Sequence, residues 1–256
     1  MLAITLAPAT AQQGIKVGGF FLPQASFLYN ADDAALDEDL FQREILPGMA
    51  GGLVFGYHFN DIVGVRMNLI YSQEGGRYSV RRDAFYRDDF TTRLEYLKIP
   101  IMLGFNTDPL FNKVMLSVYG GVQANILTRA WTYNNNPVLI PATPEGAYRL
   151  PSARDQHAFW TYSAVLDLGV DIFLTQRAVL NIGVRGDAGL IDSEDKSSTY
   201  LFTSGGRSGA GNYWDWSRAG NASAQTFSIN AGILFGLTYT LGKEVSVTPS
   251  ESEALN

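Results

Sequence analysis

The sequence predicts an all-β fold: an eight-stranded antiparallel up-and-down transmembrane β-barrel with short periplasmic turns and long extracellular loops. Apolar residues alternate with polar ones over eight stretches, which is the period of a β-strand. The connections between these stretches are alternately long and short. A transmembrane barrel turns the apolar side of each strand to lipid and the polar side to a narrow interior, so both observations favour it. A soluble lipocalin-type barrel is the alternative.

Composition limits the fold and the function. The 256 residues include 26 glycines and 12% aromatic residues but only 17% charged residues. The mean hydropathy of -0.01 is too low for a helical membrane protein, whereas a barrel needs only every second residue to be apolar. A net charge of -6 argues against a nucleic-acid partner, because phosphate binding needs a basic surface. With no cysteine, disulfides and thiol chemistry are excluded, and we expect no cofactor and no metal.

The two ends of the chain differ in character from its middle. Residues 1–11 resemble the remainder of a secretory signal peptide, with Ala9 and Ala11 as the small residues of a cleavage site. The basic segment of such a peptide is missing, which suggests that translation starts further upstream. We expect the barrel over residues 12–241 and a periplasmic acidic tail over residues 242–256.

The first half of the chain is expected to contain five strands. Residues 29–46, 73–92 and 128–156 are polar and are predicted to be long loops, whereas Asn60 and Asp61 form a tight turn. Pro100 lies inside the fourth strand and cannot donate to a ladder, so a bulge or a strand end is expected there. The five strands are predicted at residues 15–25, 51–59, 63–72, 93–105 and 114–127.

The second half of the chain shows the clearest alternation, over residues 164–190. Leu166 and Leu168 alternate with Asp167 and Gly169, and the same pattern resumes after a short break at residues 175–177. If that break is a three-residue turn, Asp167 lies directly opposite Arg185. A further long loop follows at residues 191–223, and the eighth strand covers residues 224–241.

The inward positions of these strands carry charges of both signs. Eight strands enclose an interior that side chains can fill, and an unpaired buried charge is costly, so we expect the charges to pair across the lumen. A packed polar plug is favoured over a conducting path. The predicted polar network consists of Lys16, Arg66, Lys98, Asp167, Asp171, Arg185 and Asp187.

Two predicted loops carry candidate binding residues. In residues 75–93, arginines are interspersed with aromatic residues: Arg77, Arg81, Arg82, Arg87 and Arg93. Because a guanidinium group donates two parallel hydrogen bonds to a phosphate, one interpretation is contact with lipopolysaccharide phosphates. The alternative is that these arginines pair with the aspartates of the same loop. In residues 204–218, exposed aromatic side chains are adaptable anchors for a protein or glycan, although they could also fold over the barrel mouth. These aromatic residues are Tyr213, Trp214 and Trp216.

Catalytic patterns are sparse. The two histidines, His58 and His157, do not have the spacing of a metal site. A hydrolase at the barrel rim could use His157 with Asp155 and the serines of the last long loop. Nothing in the sequence fixes their geometry, so we expect no enzyme.

Several strands resemble a known family. The segments NLIYSQEGGRY, LEYLKIPIMLGF, VYGGVQANIL and VRGDAGLIDS are similar to the PorT-like outer-membrane β-barrel domain of Bacteroidetes and relatives. Most of the likeness lies in residues 96–100 and 189–191, and it extends over residues 14–241. The resemblance implies an eight-stranded outer-membrane barrel and, for some members, a role in type IX secretion. It carries no functional residues over to this chain.

The combined hypothesis is a monomeric outer-membrane barrel with a structural or interaction role. Its expected partners are outer-membrane lipid, lipopolysaccharide and proteins of a secretion or envelope complex. Two alternatives remain open: a narrow porin for ions or small solutes, and the rim-active hydrolase.

Overall fold

In the residues that it describes, the computed structural model contains ten β-strands. It describes residues 14–30, 41–60, 62–81, 87–107, 113–134, 148–149, 157–193 and 226–241. In chain order the strands are β1 (Gly14–Asn30), β2 (Phe41–Glu44), β3 (Leu46–His58), β4 (Val63–Arg81), β5 (Arg87–Asn106), β6 (Val114–Asn134), β7 (Tyr148–Arg149), β8 (Trp160–Phe173), β9 (Ala178–Gly189) and β10 (Thr226–Leu241).

Eight of these strands close into an antiparallel barrel. Each barrel strand pairs with the next along the chain, and β10 returns to pair with β1, for example Phe21 opposite Phe235. Strand β2 pairs with β4 beyond the end of β3, and β7 pairs with β6. A closed barrel satisfies its backbone hydrogen bonds from strand to strand, as an apolar medium requires. The predicted eight-stranded antiparallel barrel is confirmed.

Among the residues that the structure describes, no helix is long and apolar enough to cross a membrane.

The two faces of the barrel have opposite character. Along β10, Ile233, Phe235 and Leu237 are each about half exposed on the outside, whereas Thr238 and Thr240 are buried inside. The other strands repeat this arrangement, and the outer surface of the barrel is therefore an apolar belt. It includes Phe21, Leu53, Phe55, Met67, Leu69, Ile101, Leu103, Val118, Val122, Leu166, Leu168 and Val184.

The two ends of the barrel differ in their connections. At one end, here called the turn end, short segments at residues 59–62, 107–113 and 174–177 join the strands. Gly14 and Leu241 lie at this end too. The opposite end, here called the loop end, carries the connections around residues 31–45, 82–86, 135–159 and 190–225.

Several strands extend further towards the loop end than the sequence predicts. Strand β1 continues to Asn30, and β3 already begins at Leu46. The predicted loop over residues 73–92 is wrong, because β4 and β5 pair as far as Arg81 opposite Arg87. The predicted loop over residues 128–156 is wrong in part, because β6 continues to Asn134. Backbone pairing thus persists beyond the belt, where apolar alternation has stopped.

The prolines in the interior of β1 and β5 end neither strand. The prediction of a bulge or strand end at Pro100 is wrong: Pro100 pairs with Gln123 of β6. On the β4 side the ladder runs to Ile101 and resumes at Lys98 in the same register. Pro23 of β1 behaves alike, since it pairs with β3 but the ladder to β10 is interrupted beside it. A missing N–H therefore removes pairing on one side only.

Candidate functional site

The charged residues predicted inside the barrel do lie inside it. Lys16, Lys98, Asp167, Asp171, Arg185 and Asp187 are buried, and the side chain of Arg66 is only 13% exposed. Their strands place them there because inward positions recur at every second residue. The structure divides them among three groups.

The first group surrounds Asp167 of β8. Asp167 lies opposite Arg185 of β9, as the short turn between the strands predicts, and this register is confirmed. The carboxylate of Asp167 accepts a bond from Nη1 of Arg185 at 3.3 Å and a second bond from Nη2 of Arg66, across the lumen on β4. Two guanidinium groups thus share one carboxylate, which leaves this group with a positive charge.

An amide chain extends this group towards the loop end. Nη2 of Arg185 donates to Oε1 of Gln123 at 3.0 Å, and Nε2 of Gln123 donates to Oδ1 of Asn125 at 2.7 Å. Nδ2 of Asn125 then donates to the hydroxyls of Thr161 at 3.1 Å and Ser163 at 2.8 Å. This series of buried hydrogen bonds connects β6, β8 and β9.

The second group centres on Lys98 of β5. Its Nζ atom lies 2.6 Å from Oε2 of Glu74 and 3.2 Å from Oδ1 of Asp187. Nδ2 of Asn230 donates to Oδ1 of Asp187 at 2.9 Å. All four residues are buried. Because two carboxylates surround one ammonium, this group is negative and offsets the positive group around Asp167.

The third group lies near the turn end. Oδ1 of Asp171 accepts bonds from Nδ2 of Asn181 at 2.7 Å and from the hydroxyl of Ser117 at 3.3 Å. Lys16 interacts electrostatically with Asp171 but forms no ion pair within 4.0 Å with any residue that the structure describes. Asp171 is therefore held by neutral donors rather than by the expected cross-lumen pair.

Aromatic and imidazole rings fill the space beside Arg66. The guanidinium of Arg66 stacks 3.8 Å from the centre of the Tyr119 ring, and the Tyr119 hydroxyl lies 3.1 Å from Nε2 of His58. Nδ2 of Asn106 lies 3.3 Å from Nδ1 of the same imidazole. The Tyr119 ring covers Gly104, where the absence of a Cβ makes room for it.

Apolar clusters bound the polar interior towards both ends and along one wall. Near the turn end, Met115, Phe173 and Val179 pack together. Towards the loop end, β1 packs directly on β4, where the Ser26 hydroxyl bonds the backbone of Gly75. The loop-end cluster consists of Leu28, Leu94, Tyr96, Leu127 and Ala130, and the wall cluster of Phe20, Leu22, Ala50, Val54, Ile70 and Leu234.

This arrangement indicates what the interior does chemically. Its charges are mostly compensated by one another, and the apolar clusters lie above and below them. In the described part of the chain, no group of three His, Cys, Asp or Glu residues is placed to hold a metal ion. His157 is half-buried beside β8, and its suggested partner Asp155 lies outside the described residues. The polar groups therefore act as a packed internal framework.

The residues predicted to contact lipopolysaccharide or a partner are only partly described. Arg77 lies on the outer face of β4, with Nε 3.5 Å from Oε2 of Glu44. The backbones of Arg81 and Arg87 pair at the end of the β4–β5 hairpin. The remaining candidates, Arg82, Tyr213, Trp214 and Trp216, lie outside the described residues, as do the predicted signal remnant at residues 1–11 and the tail at residues 242–256.

The sequence interpretation missed Glu74, the main partner of Lys98. It placed Glu74 in a loop, because the alternation of apolar residues stops at Tyr71. A signal was nevertheless available: Asn68, Ile70 and Ser72 are inward, and the same parity continues to Glu74.

Comparison with solved structures returns small barrels. The Neisserial surface protein A structure is 11% identical with a TM-score of 0.43, and the alignment covers 91% of this chain and 99% of that one. The structure of OprG of Pseudomonas aeruginosa is 12% identical with a TM-score of 0.43, and the alignment covers 92% of this chain and 99% of that one. The structure of Ail of Yersinia pestis is 10% identical with a TM-score of 0.35, and the alignment covers 89% of this chain and 99% of that one. No curated protein matches the chain.

A family model identifies the chain more directly. The model described as outer membrane protein beta-barrel domain matches residues 38–195, more than half of the sequence. This range includes β2 to β9, and with them the hairpin that carries Asp167 and Arg185. The lipid-facing belt and the closed polar interior agree with that match. The protein therefore belongs to the outer membrane protein beta-barrel domain family and is located in the outer membrane.

Proposed function

We propose that this barrel serves a structural or interaction role in the cell envelope, as an accessory to type IX secretion or to another envelope complex. The observation that carries the proposal is the filled interior. Lys98, Asp167 and Arg185 are held in ion pairs at less than 8% exposure, and the apolar clusters bound them on both sides. A protein of this kind acts through its outer surface and its loop end rather than through its lumen.

The secretion role has separate support in the sequence. The elements at residues 96–100 and 189–191 are those that resemble PorT-like proteins. Both lie in the described part of the chain, the first within β5 and the second at the end of β9. Tyr96 belongs to the loop-end cluster, and Lys98 holds the negative group together. The likeness therefore concerns residues that shape the barrel, which is consistent with a shared scaffold for envelope partners.

Deletion of the gene in the native host tests the secretion role. We expect type IX cargo to disappear from the culture supernatant and to return when the wild-type gene is restored. Sensitivity to a large antibiotic such as vancomycin serves as the control, because it separates a secretion defect from a leaky membrane. Normal cargo release by the deletion strain would show that the secretion role is wrong, without affecting the barrel assignment.

A further inference from the structure

Three arginines lie on the outer face of adjacent strands towards the loop end. They are Arg77 of β4, Arg93 of β5 and Arg129 of β6, and they are called the arginine triad below. Arg93 lies directly between Gly75 of β4 and Trp131 of β6. It is therefore diagonal to both other arginines, at a Cα separation of about 7–8 Å that long side chains can bridge.

A β-bulge in β6 brings Arg129 to this face. Before the bulge, the inward residues of β6 are odd-numbered, as for Gln123 and Leu127; after it, the even-numbered Ala130 is buried. The register shifts opposite Glu95 and Tyr96, and Thr128 is the additional residue. The Thr128 hydroxyl donates to the carbonyl of Glu95 at 2.9 Å. Without this bulge, Arg129 would point into the barrel.

The triad lies just beyond the apolar belt. A tilted transmembrane strand advances about 2.6 Å per residue along the barrel axis. From Val63 at the turn end, Tyr71 is then about 21 Å away and Arg77 about 36 Å away, whereas the apolar band of such barrels is about 25 Å tall. Arg93, counted from Phe105, which lies opposite Val63, is at about 31 Å. The triad therefore reaches the headgroup level of the outer leaflet.

The three arginines of the triad differ in their partners. The side chain of Arg93 is exposed and forms no ion pair or hydrogen bond with the residues that the structure describes. The Arg129 side chain is 73% exposed, and its Nε lies 3.9 Å from Oε2 of the mostly buried Glu95. Arg77 is 3.5 Å from Glu44.

We propose that the arginine triad binds a phosphate group of lipopolysaccharide, with Arg93 and Arg129 as its main ligands. Guanidinium groups bind phosphate oxygens through pairs of hydrogen bonds, and the diagonal positions of Arg93 and Arg129 allow both guanidinium groups to reach one phosphate. The adjoining Trp131 is amphipathic, which suits the border between acyl chains and sugar. Two of its members, Arg77 and Arg93, belong to the arginines expected from the sequence in residues 75–93, whereas the third, Arg129, comes from β6, the strand beside that hairpin.

Lipid A binding by the full-length protein in detergent micelles tests the proposal. The probes are lipid A with both phosphates and the same lipid with its phosphates removed. We expect the double variant Arg93→Ala with Arg129→Ala to bind the phosphorylated lipid about tenfold or more weakly than the wild type. The double variant with lysine at both positions should lose less affinity, because it keeps the charge. The matched control removes two exposed charges at the turn end, with Lys113→Ala and Arg177→Ala, and should bind normally.

Two results would overturn the proposal. One is phosphorylated lipid A that binds the alanine variant within twofold of the wild type. The other is equal affinity of the wild type for both lipids, which would mean that acyl chains on the belt account for binding. A normal circular dichroism spectrum and normal migration of the unboiled variant on a gel show that the barrel has formed. Neither result depends on whether the protein assists secretion.

Discussion

At the scale of single residues, the most consequential side chain is Lys98. Its ammonium is the only positive group within ion-pair distance of Glu74 and Asp187 in the described residues. Breaking a buried ion pair from one side leaves an uncompensated charge, which costs far more than the pair contributes. The neighbouring carboxylates thus depend on a single residue.

Lys98→Met should lower the free energy of unfolding by about 3–5 kcal/mol. The measurement is a urea titration of the folded barrel in detergent, followed by tryptophan fluorescence. Lys113→Met at the turn end is the matched control and should change little. Adding Glu74→Gln and Asp187→Asn should recover much of the loss; a triple variant as unstable as Lys98→Met alone would contradict the charge argument.

Packing at Gly104 gives a second prediction. A Cβ at this position would overlap the ring of Tyr119, so Gly104→Ala should destabilise the barrel by about 1–3 kcal/mol. Gly120→Ala is the control, since its Cβ would meet nothing closer than Leu166 at 3.9 Å. The same urea titration measures both.

The double variant Gly104→Ala with Tyr119→Leu separates packing from backbone effects. If the ring is what the methyl group meets, the combined loss is smaller than the sum of the two single losses. Strictly additive losses would mean that Gly104 matters for another reason.

Sequence alone predicts some of the interior pairs and misses others for a physical reason. Asp167 and Arg185 are predictable because a short turn fixes the register of a hairpin. The pair of Lys98 with Glu74 depends instead on where β4 ends, and Asp187 reaches Lys98 across the lumen. Lys16 was expected to be paired, but it has no ion-pair partner among the described residues. The alternation along a strand determines which face of the barrel a side chain lies on, but not how far it is from an opposite charge on another strand.

At the scale of elements, strand existence is predicted well and strand length is not. Apolar alternation marks only the part of a strand that faces lipid. Strands β4, β5 and β6 continue beyond it with polar residues on both faces, so their outer parts resemble loops in sequence. The same extension creates the arginine triad, which could not be recognised without the bulge at Thr128.

Hydrogen exchange tests these extensions. We expect the backbone amides of residues 76–80 and 88–92 to exchange slowly, because the two segments pair in register from Gly76 opposite Thr92. The measurement is mass spectrometry of the folded protein in micelles, with the same peptides from the urea-unfolded protein as the fast-exchanging reference. Exchange of both segments as fast as in the unfolded protein would mean that the hairpin does not extend beyond the belt.

At the scale of the whole molecule, strand pairing closes the barrel and side chains fill its interior. Pairing of β1 with β10 removes every lateral edge from the barrel, and the outer belt suits the bilayer. Inside, opposite charges on different strands compensate one another, so the chain can place four basic residues and four acidic residues in its interior at low exposure. The filled interior is thus the central feature of this account.

Ion conductance across a planar bilayer tests that feature most directly. We expect the wild-type protein to give no stable conductance steps at voltages that leave the bilayer intact. A variant that shortens side chains of the interior, Tyr96→Ala with Arg66→Ala, should conduct if it inserts normally, which shows that the assay detects an open lumen. Reproducible ohmic steps from the wild-type protein would contradict the filled interior and make the narrow porin the better account.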